Sequence, residues 1–531
     1  MSNYSTYDLS QDPPVVTVPR RYNVAVDFVD QRVDEGFADK VAFIDDTSQL
    51  TYGELQSGVN RFGNALHGLG LQAEQRVLML QLDSVDFPVV FFGAIKAGMV
   101  AVPVNTLLTT DDYDFMLRDS RARALVVSAE LLAVVAPILD ELPDLQHVIV
   151  TGQVANGGGT GGYLAMSDVL AGAETELVAA ETSADDVAFW LYSSGSTGRP
   201  KGTPHLQSDM INTAVLYGMG VLGIQTDDVV YSAAKLFFAY GLGNGLTFPM
   251  AVGATAVLMA GRPTPGDVMA RVHDYEATIF YGVPTLYAGI LADEGIGRAA
   301  SSPKLRHCVS AGEALPEDVA RRWADRFGVE ILDGIGSTEM LHIFLSNRPG
   351  QVRYGSTGLP VPGYRCRLTD DAGDETAAGE IGDLLVSGPS SAPYYWNNRG
   401  KSIATFEGAW TRTGDKYLRD EDGYYVYAGR SDDMLKVGGI WVSPFEVESA
   451  LMANESVLEA AVVGHGDGDE LIKPKAFVVL TAGGGDAAQA AALQQFVKDR
   501  LAPYKYPRWV EFVDALPKTA TGKIQRYKLR G

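Results

Sequence analysis

Apolar residues fall into two rhythms along this chain. Short β-branched runs bounded by turn residues occur at Arg76-Val-Leu-Met-Leu80, Ala124-Leu-Val-Val-Ser128, His147-Val-Ile-Val150 and Asp228-Val-Val-Tyr-Ser232. Runs of this length and composition predict buried strands. Between them, residues 51–69 and 111–119 space their apolar positions as a helix does. Alternating strands and helices argue for α/β layers with largely parallel sheets. The most apolar run, residues 87–104, holds Gly93, Lys96, Gly98 and Pro103. It predicts a helix leading into a buried strand rather than a membrane span. Residues 152–162 are a Gly-rich surface loop, and no internal repeat is present.

After Gly355 the texture changes to short strands and turns, as in Gly379-Glu-Ile-Gly-Asp-Leu384 and Asp422-Gly-Tyr-Tyr-Val-Tyr427. This predicts a small antiparallel sheet or barrel-like subdomain on the α/β body. Near Asp432 an α+β unit begins, with helices expected at 444–454 and 487–502 and strands at 458–463 and 475–480. The expected organisation is a polar, Pro-containing loose arm over 1–20, a large body over 21–431 and a small mobile domain over 432–531.

Composition narrows the class. With 531 residues, 46% apolar and 21% charged, the chain is an ordinary globular one. Lys plus Arg is 43 against 66 Asp plus Glu, a net charge of −23. Such a balance disfavours nucleic acid and anionic membranes as partners, though not an anion held in a local pocket. Two cysteines, Cys308 and Cys366, make neither a disulfide framework nor a Cys-rich zinc site, which points to the reducing cytoplasm. The first residues carry no basic-then-apolar pattern of a secretory signal.

Five motifs carry candidate chemistry. Tyr192-Ser-Ser-Gly-Ser-Thr-Gly-Arg-Pro-Lys-Gly202 follows the apolar run 187–191. Its hydroxyls and glycines, with Lys201 and Arg199 adding charge, suit a loop that wraps a polyphosphate. It is not a Walker A loop, because the Gly-Lys-Ser/Thr spacing is missing. Asp333-Gly-Ile-Gly-Ser-Thr-Glu339 is a small-residue turn ending in hydroxyls and a carboxylate, fit for a nucleotide–metal site; alone, its Thr-Glu pair is more often a helix cap than a metal site. Trp410-Thr-Arg-Thr-Gly-Asp415 offers a carboxylate after a Gly turn, suited to ribose hydroxyls or simply to a turn. Tyr427-Ala-Gly-Arg-Ser-Asp-Asp-Met-Leu-Lys-Val-Gly-Gly439 ends in glycines that permit close backbone approach. Leu516-Pro-Lys-Thr-Ala-Thr-Gly-Lys523 is a C-terminal loop ending in a lysine.

These motifs, in this order, resemble those of the adenylate-forming enzymes: acyl- and aryl-CoA synthetases, luciferases and nonribosomal adenylation domains. The resemblance runs from about residue 40 to the end. It implies that Ser193, Ser194, Gly195, Ser196, Thr197, Gly198 and Lys201 cradle ATP phosphates. It implies that Gly312, Glu313 and Ala314 pack on adenine, and that Asp333, Gly334, Ile335, Gly336 and Ser337 line the nucleotide. Thr338 would contact the α-phosphate, with Glu339 and Thr197 on Mg2+. Asp415 and Arg430 would face the ribose. Asp432 would be the hinge, Gly438 and Gly439 would lie along the pantetheine of coenzyme A, and Lys436 would join the catalytic set. Lys523 would bridge carboxylate and α-phosphate, an electrostatic role. Its surroundings also resemble the site at which such enzymes are acetylated, which implies a lysine acetyltransferase and a deacetylase as partners. Family members are often homodimers.

The blocks Ala234-Lys-Leu-Phe-Phe-Ala-Tyr-Gly-Leu-Gly-Asn-Gly245 and Gly336-Ser-Thr-Glu-Met-Leu-His-Ile-Phe-Leu-Ser-Asn347 are similar to benzoate-CoA ligases in particular. Their aromatic, charge-poor composition suits a small flat acid. Ala239, Tyr240, Gly241, Gly282, His342 and Ile343 are the expected aryl-pocket residues. The implied reaction joins benzoate to coenzyme A through an acyl-adenylate, with release of AMP and pyrophosphate. A 4-hydroxy-, amino- or fluorobenzoate, or a separate carrier protein as acceptor, stays open. Thr203-Pro-His-Leu-Gln-Ser208 departs from the family's pattern, which leaves contacts near His205 unassigned.

Overall fold

The computed structural model describes residues 4–152, 163–193, 199–431, 433–437, 440–466, 472–518 and 524–530, and of residues 436, 440 and 441 the backbone. Two sheets build the large body. The first has seven strands in the spatial order Lys201–Leu206, Val187–Ser193, Val100–Pro103, Arg76–Leu80, Ala124–Ser128, His147–Thr151 and Leu164–Ala165. Every neighbouring pair is parallel except the first, which is an antiparallel hairpin. The apolar run splits as its interruptions predict, into the Asp86–Lys96 helix and the Val100–Pro103 strand. Lys96 ends that helix buried, its ammonium 2.8 Å from Asp30 and 2.6 Å from Asn60. A buried lysine in an apolar segment needs polar partners, and here a carboxylate and an amide supply them. Among the described residues no helix is long and apolar enough to cross a membrane. Helix Tyr52–Gly68 begins where Thr51 and Glu54 cap each other's backbone N–H groups.

The second sheet has nine strands, in the order Leu359–Pro360, Ile343–Ser346, Ile331–Gly336, His307–Ser310, Ile279–Gly282, Val229–Ser232, Thr255–Val257, Val41–Ile44 and Gln49–Thr51. The six from Ile331–Gly336 to Val41–Ile44 are parallel. After Gly355 comes an antiparallel sheet of five strands, in which Trp410–Arg419 pairs with Ile381–Ser387, Phe406–Glu407 and Tyr425–Arg430. The last unit has its own core of Val447, Leu451, Val462, Val478, Leu493 and Val497. There Val457–Gly466 and Ile472–Leu480 pair antiparallel, and Trp509–Phe512 runs parallel to the second. The helices Pro444–Met452 and Ala487–Lys498 pack on them. Tyr427 meets Phe445 edge-on at 5.4 Å where this unit touches the body.

One expectation is corrected. Residues 4–20 are not loose: Thr6–Asp8 pairs with Val15–Thr17, and Ser5 is buried. Its N–H and hydroxyl donate to Asp27 at 2.9 and 2.6 Å, and Tyr22 donates to the same carboxylate at 2.6 Å. A polar segment is held here by a buried carboxylate rather than by apolar area.

Candidate active site

In the nine-stranded sheet the chain turns back at Val229–Ser232, whose neighbours are the next strand on one side and the one after on the other. Crevices at the carboxyl ends of parallel strands beside such a reversal are where open α/β sheets hold ligands. The register sets Ser232 opposite Tyr281, Gly282 opposite Ser310, and Ser310 opposite Asp333. The segments that follow these strands, 233–244, 283–285, 311–314 and 337–342, therefore line one edge.

The Ser-Gly-Thr loop joins the two strands of the hairpin, with Ser193 opposite Lys201 and Tyr192 opposite Gly202. Strand–loop–strand is a different architecture from the strand–loop–helix of a P-loop, in accord with the missing Walker spacing. Ser193 keeps a buried hydroxyl without a hydrogen-bond partner among the described residues. Ser194, Gly195, Ser196, Thr197 and Gly198 lie outside the described residues. Arg199 stacks over Phe115 at 5.0 Å, so Lys201 is the cation that reaches the site. Its ammonium lies 3.8 Å from Glu339 Oε1 and 3.3 Å from the Tyr395 hydroxyl. Burial lowers the Lys201 pKa, and Glu339 opposes that shift.

The second motif is a sharp reversal. Ser337 accepts the Met340 N–H at 3.2 Å, and Leu341 takes φ +65°. Non-glycine residues adopt positive φ only where their surroundings hold them, and such positions gather at functional sites. Gly336 is required by close approach, since a Cβ there would sit 2.5 Å from the His342 carbonyl oxygen. The turn is pinned by a residue the sequence left unassigned. His205, wholly buried, donates from Nε2 to the Thr338 carbonyl at 2.8 Å, while its Nδ1 meets Asp209 at 2.9 Å. Burial raises the Asp209 pKa. Behind the turn, Asp333 is buried with Oδ1 unpartnered among the described residues, and burial pushes its pKa well above the usual carboxylate range. Gly312 has φ +92°, which positions Glu313 and Ala314 beside it on a backbone that only glycine adopts readily.

The six aryl-pocket candidates form one contiguous wall. Tyr240 donates to the carbonyls of Gly282 and Val309 at 3.2 and 3.1 Å, so its proton is committed to the backbone. Ala239 and Gly241 flank it in one buried turn, where a Cβ at Gly241 would lie 2.0 Å from the Lys235 carbonyl oxygen. His342 Nε2 faces the Tyr240 carbonyl at 3.3 Å and Asn244 Oδ1 at 3.1 Å. Both are acceptors, so Nε2 carries the proton and Nδ1 is an acceptor. Nδ1 has no partner among the described residues, and burial lowers the His342 pKa to about 3. The ring sits among Phe248, Tyr217 and Tyr240 at 4.5, 5.4 and 5.7 Å. Ile343 packs on Gly334 at the next strand.

Asp415 and Arg430 stand opposite each other in the antiparallel sheet, 3.1 Å apart. Arg430 is also among the charges acting on Lys201 and Tyr395, which brings this pair to the same edge. Asp432, Gly438, Gly439 and Lys523 lie outside the described residues, as does the side chain of Lys436. Sequence reasoning missed Asp209, Tyr395 and Asn244. The His-x-x-x-Asp spacing of His205 and Asp209 is the one signal that pointed to any of them.

No three described His, Cys, Asp or Glu side chains cluster as a metal site. Glu339, a largely buried carboxylate beside the hairpin, fits a cation that takes most of its oxygens from phosphates and water, as Mg2+ does.

Residues 30–396 match the model of the AMP-binding enzyme family, and residues 446–523 match that of the AMP-binding enzyme C-terminal domain. The chain is 60% identical to the benzoate–CoA ligase of Thauera aromatica, over 100% of both chains. It is 50% identical to the 4-hydroxybenzoate–CoA/benzoate–CoA ligase of Rhodopseudomonas palustris, over 96% of this chain and 94% of that one. The solved structure of the anthranilate CoA ligase AuaEII in complex with anthranoyl-AMP superposes with a TM-score of 0.93 at 45% identity, covering 96% of this chain and 97% of that one. An edge that gathers a Ser-Gly-Thr hairpin, a Thr-Glu turn and an aromatic wall, on a chain matched nearly end to end, establishes that this protein belongs to the AMP-binding enzyme family.

Proposed function

We propose that the protein ligates benzoate to coenzyme A in two half-reactions that use ATP and Mg2+. The benzoate carboxylate attacks the α-phosphorus of ATP, pyrophosphate leaves, and benzoyl-adenylate forms. The coenzyme A thiolate then attacks the benzoyl carbonyl and AMP leaves. Activation replaces oxide, a very poor leaving group, with AMP, dividing one hard step into two easier ones. The observation that carries this reading is the aromatic wall around His342, whose chain continues directly into the Thr338–Glu339 turn. A flat apolar acid seated there brings its carboxylate toward the nucleotide end of the same crevice.

The site residues then take these roles. Ser193, Lys201 and the hairpin loop hold the phosphates, Thr338 faces the α-phosphate, and Glu339 with Thr197 would hold Mg2+. When bound, Mg2+ neutralises charge on the phosphate oxygens. The unpartnered Asp333 Oδ1 suits an amino group of adenine, and Asp415 with Arg430 suits the ribose. Ala239, Tyr240, Gly241, Gly282, His342 and Ile343 enclose the ring. Lys523 serves adenylation and Gly438-Gly439 serves thioester formation, with the domain from 432 onward rotating about Asp432 between them. The setting is the cytoplasm, acetylation at Lys523 would switch adenylation off, and the enzyme works as a homodimer.

One observation favours a second acid. His342 Nδ1 is a buried acceptor without a donor among the described residues, and an unmet buried group costs about 1–3 kcal/mol. A ring hydroxyl would supply that proton, so 4-hydroxybenzoate is the second reading. The test is pyrophosphate release from MgATP with benzoate, its substituted forms, cyclohexanecarboxylate and acetate, with and without coenzyme A. Benzoate leading, with full turnover to AMP only when coenzyme A is present, is the expected result. A stall after one pyrophosphate with coenzyme A present would shift the acceptor to a carrier protein. ADP as product would overturn the adenylation site.

A further inference from the structure

Tyr395 belongs to no motif that carries chemistry in the sequence, yet it is buried between two that do. Its hydroxyl donates to Glu339 Oε1 at 2.6 Å and accepts from the Lys201 ammonium at 3.3 Å. The same ammonium lies 4.3 Å from the Tyr395 ring centroid. Three further bonds tie this stretch to both partners. The Ala392 N–H donates to the Glu339 carbonyl at 2.8 Å, the Trp396 N–H to the Gly202 carbonyl at 2.9 Å, and Ser390 Oγ to the Met340 carbonyl at 2.7 Å. Residues 390–396 thus fasten the Thr-Glu turn to the base of the phosphate hairpin.

We propose that Tyr395 is a positioning residue for the metal–nucleotide step: it occupies Oε1 of Glu339, leaves Oε2 for the cation, and holds Lys201 at the phosphates. This rests on the reading of Glu339 as the metal-binding carboxylate. Partners that orient a ligating carboxylate typically account for about 10–100-fold in metal affinity.

The experiment titrates the full-length enzyme with Mn2+ in the presence of ATP, without acid or coenzyme A, and reads bound metal by electron paramagnetic resonance. Wild type, Y395F, E339Q and the double variant are compared. Tyr395→Phe keeps the ring against Phe406, 5.1 Å away, and removes only the hydroxyl. The expected result is Mn2+ binding weakened about 10–100-fold in Y395F, with no further loss when Y395F is added to E339Q. Such non-additivity is the mark of one group acting through another. Unchanged affinity in Y395F overturns the proposal, and so does a loss that simply adds to that of E339Q. Full affinity in E339Q would instead overturn the metal assignment of Glu339, and the proposal with it.

Discussion

His205 is wholly buried, and both ring nitrogens are engaged, one on the Thr338 carbonyl and one on Asp209. His205→Ala would leave Asp209 buried with the Leu206 N–H in place of both donors, a loss of about 1–3 kcal/mol. A clear fall in the urea midpoint, together with slower adenylation, is the expected outcome; an unchanged midpoint would contradict the pairing. Asp83 gives a prediction of different sign. Burial raises its pKa to about 6, against Lys235 and the Leu236 N–H, which lower it. A carboxyl with a raised folded pKa binds protons more tightly folded than unfolded. Its contribution is therefore greatest below about pH 4 and is lost as pH rises through about 6. The loss amounts to about 2–3 kcal/mol. Asp83→Asn should flatten the fall in stability over that window, measured by urea unfolding at each pH, and a parallel profile would refute it.

Across elements, the helical turns after Phe238 meet the Ile343–Ser346 strand through His342. Gly243 makes room for it, because a Cβ there would lie 2.3 Å from His342 Cδ2 and 2.6 Å from Nε2. Gly243→Ala should push the imidazole out of its bonds to Tyr240 and Asn244. A benzoate KM raised about 10-fold, the scale of one lost buried hydrogen bond, with unchanged ATP affinity by calorimetry is the expected pattern. Equal loss of both would place the damage in the whole crevice. At this scale much was legible in advance. The interruptions of residues 87–104 mark the join between helix and strand, and β-branched runs mark the parallel strands. What stayed hidden were polar partners far apart in the chain. His205 and Thr338 are 133 residues apart, and Tyr395 and Glu339 are 56 apart. No local spacing encodes such pairs. Ser5 and Asp27 show the same limit, since a polar composition that reads as a loose arm says nothing of the carboxylate awaiting it. The candidate aryl-wall residues could be named in advance because five of the six lie in two unbroken blocks, 234–245 and 336–347, with Gly282 in a third segment.

For the molecule as a whole, the two half-reactions ask one crevice to present different groups in turn. The last unit has its own hydrophobic core and meets the body through a small face around Tyr427 and Phe445. A separate core is what a rigid-body rotation needs. Lys523→Ala should slow adenylation by at least about 100-fold, the scale of removing one preorganised charge. It should leave thioester formation from supplied benzoyl-adenylate near the wild-type rate. Equal loss in both half-reactions, measured by single-turnover kinetics, would refute the division between the two loops.

Trp190 and Trp396 lie 4.6 Å apart at the base of the phosphate hairpin, with the Arg76 guanidinium over both rings. One indole stands in the strand that enters the loop, and the other is bonded through its backbone to Gly202, on the strand that leaves it. Indoles this close couple their electronic transitions, so their ellipticity follows small changes in mutual angle. A shift between the two strands that flank residues 194–198 would therefore register in the near-ultraviolet ellipticity without any added dye.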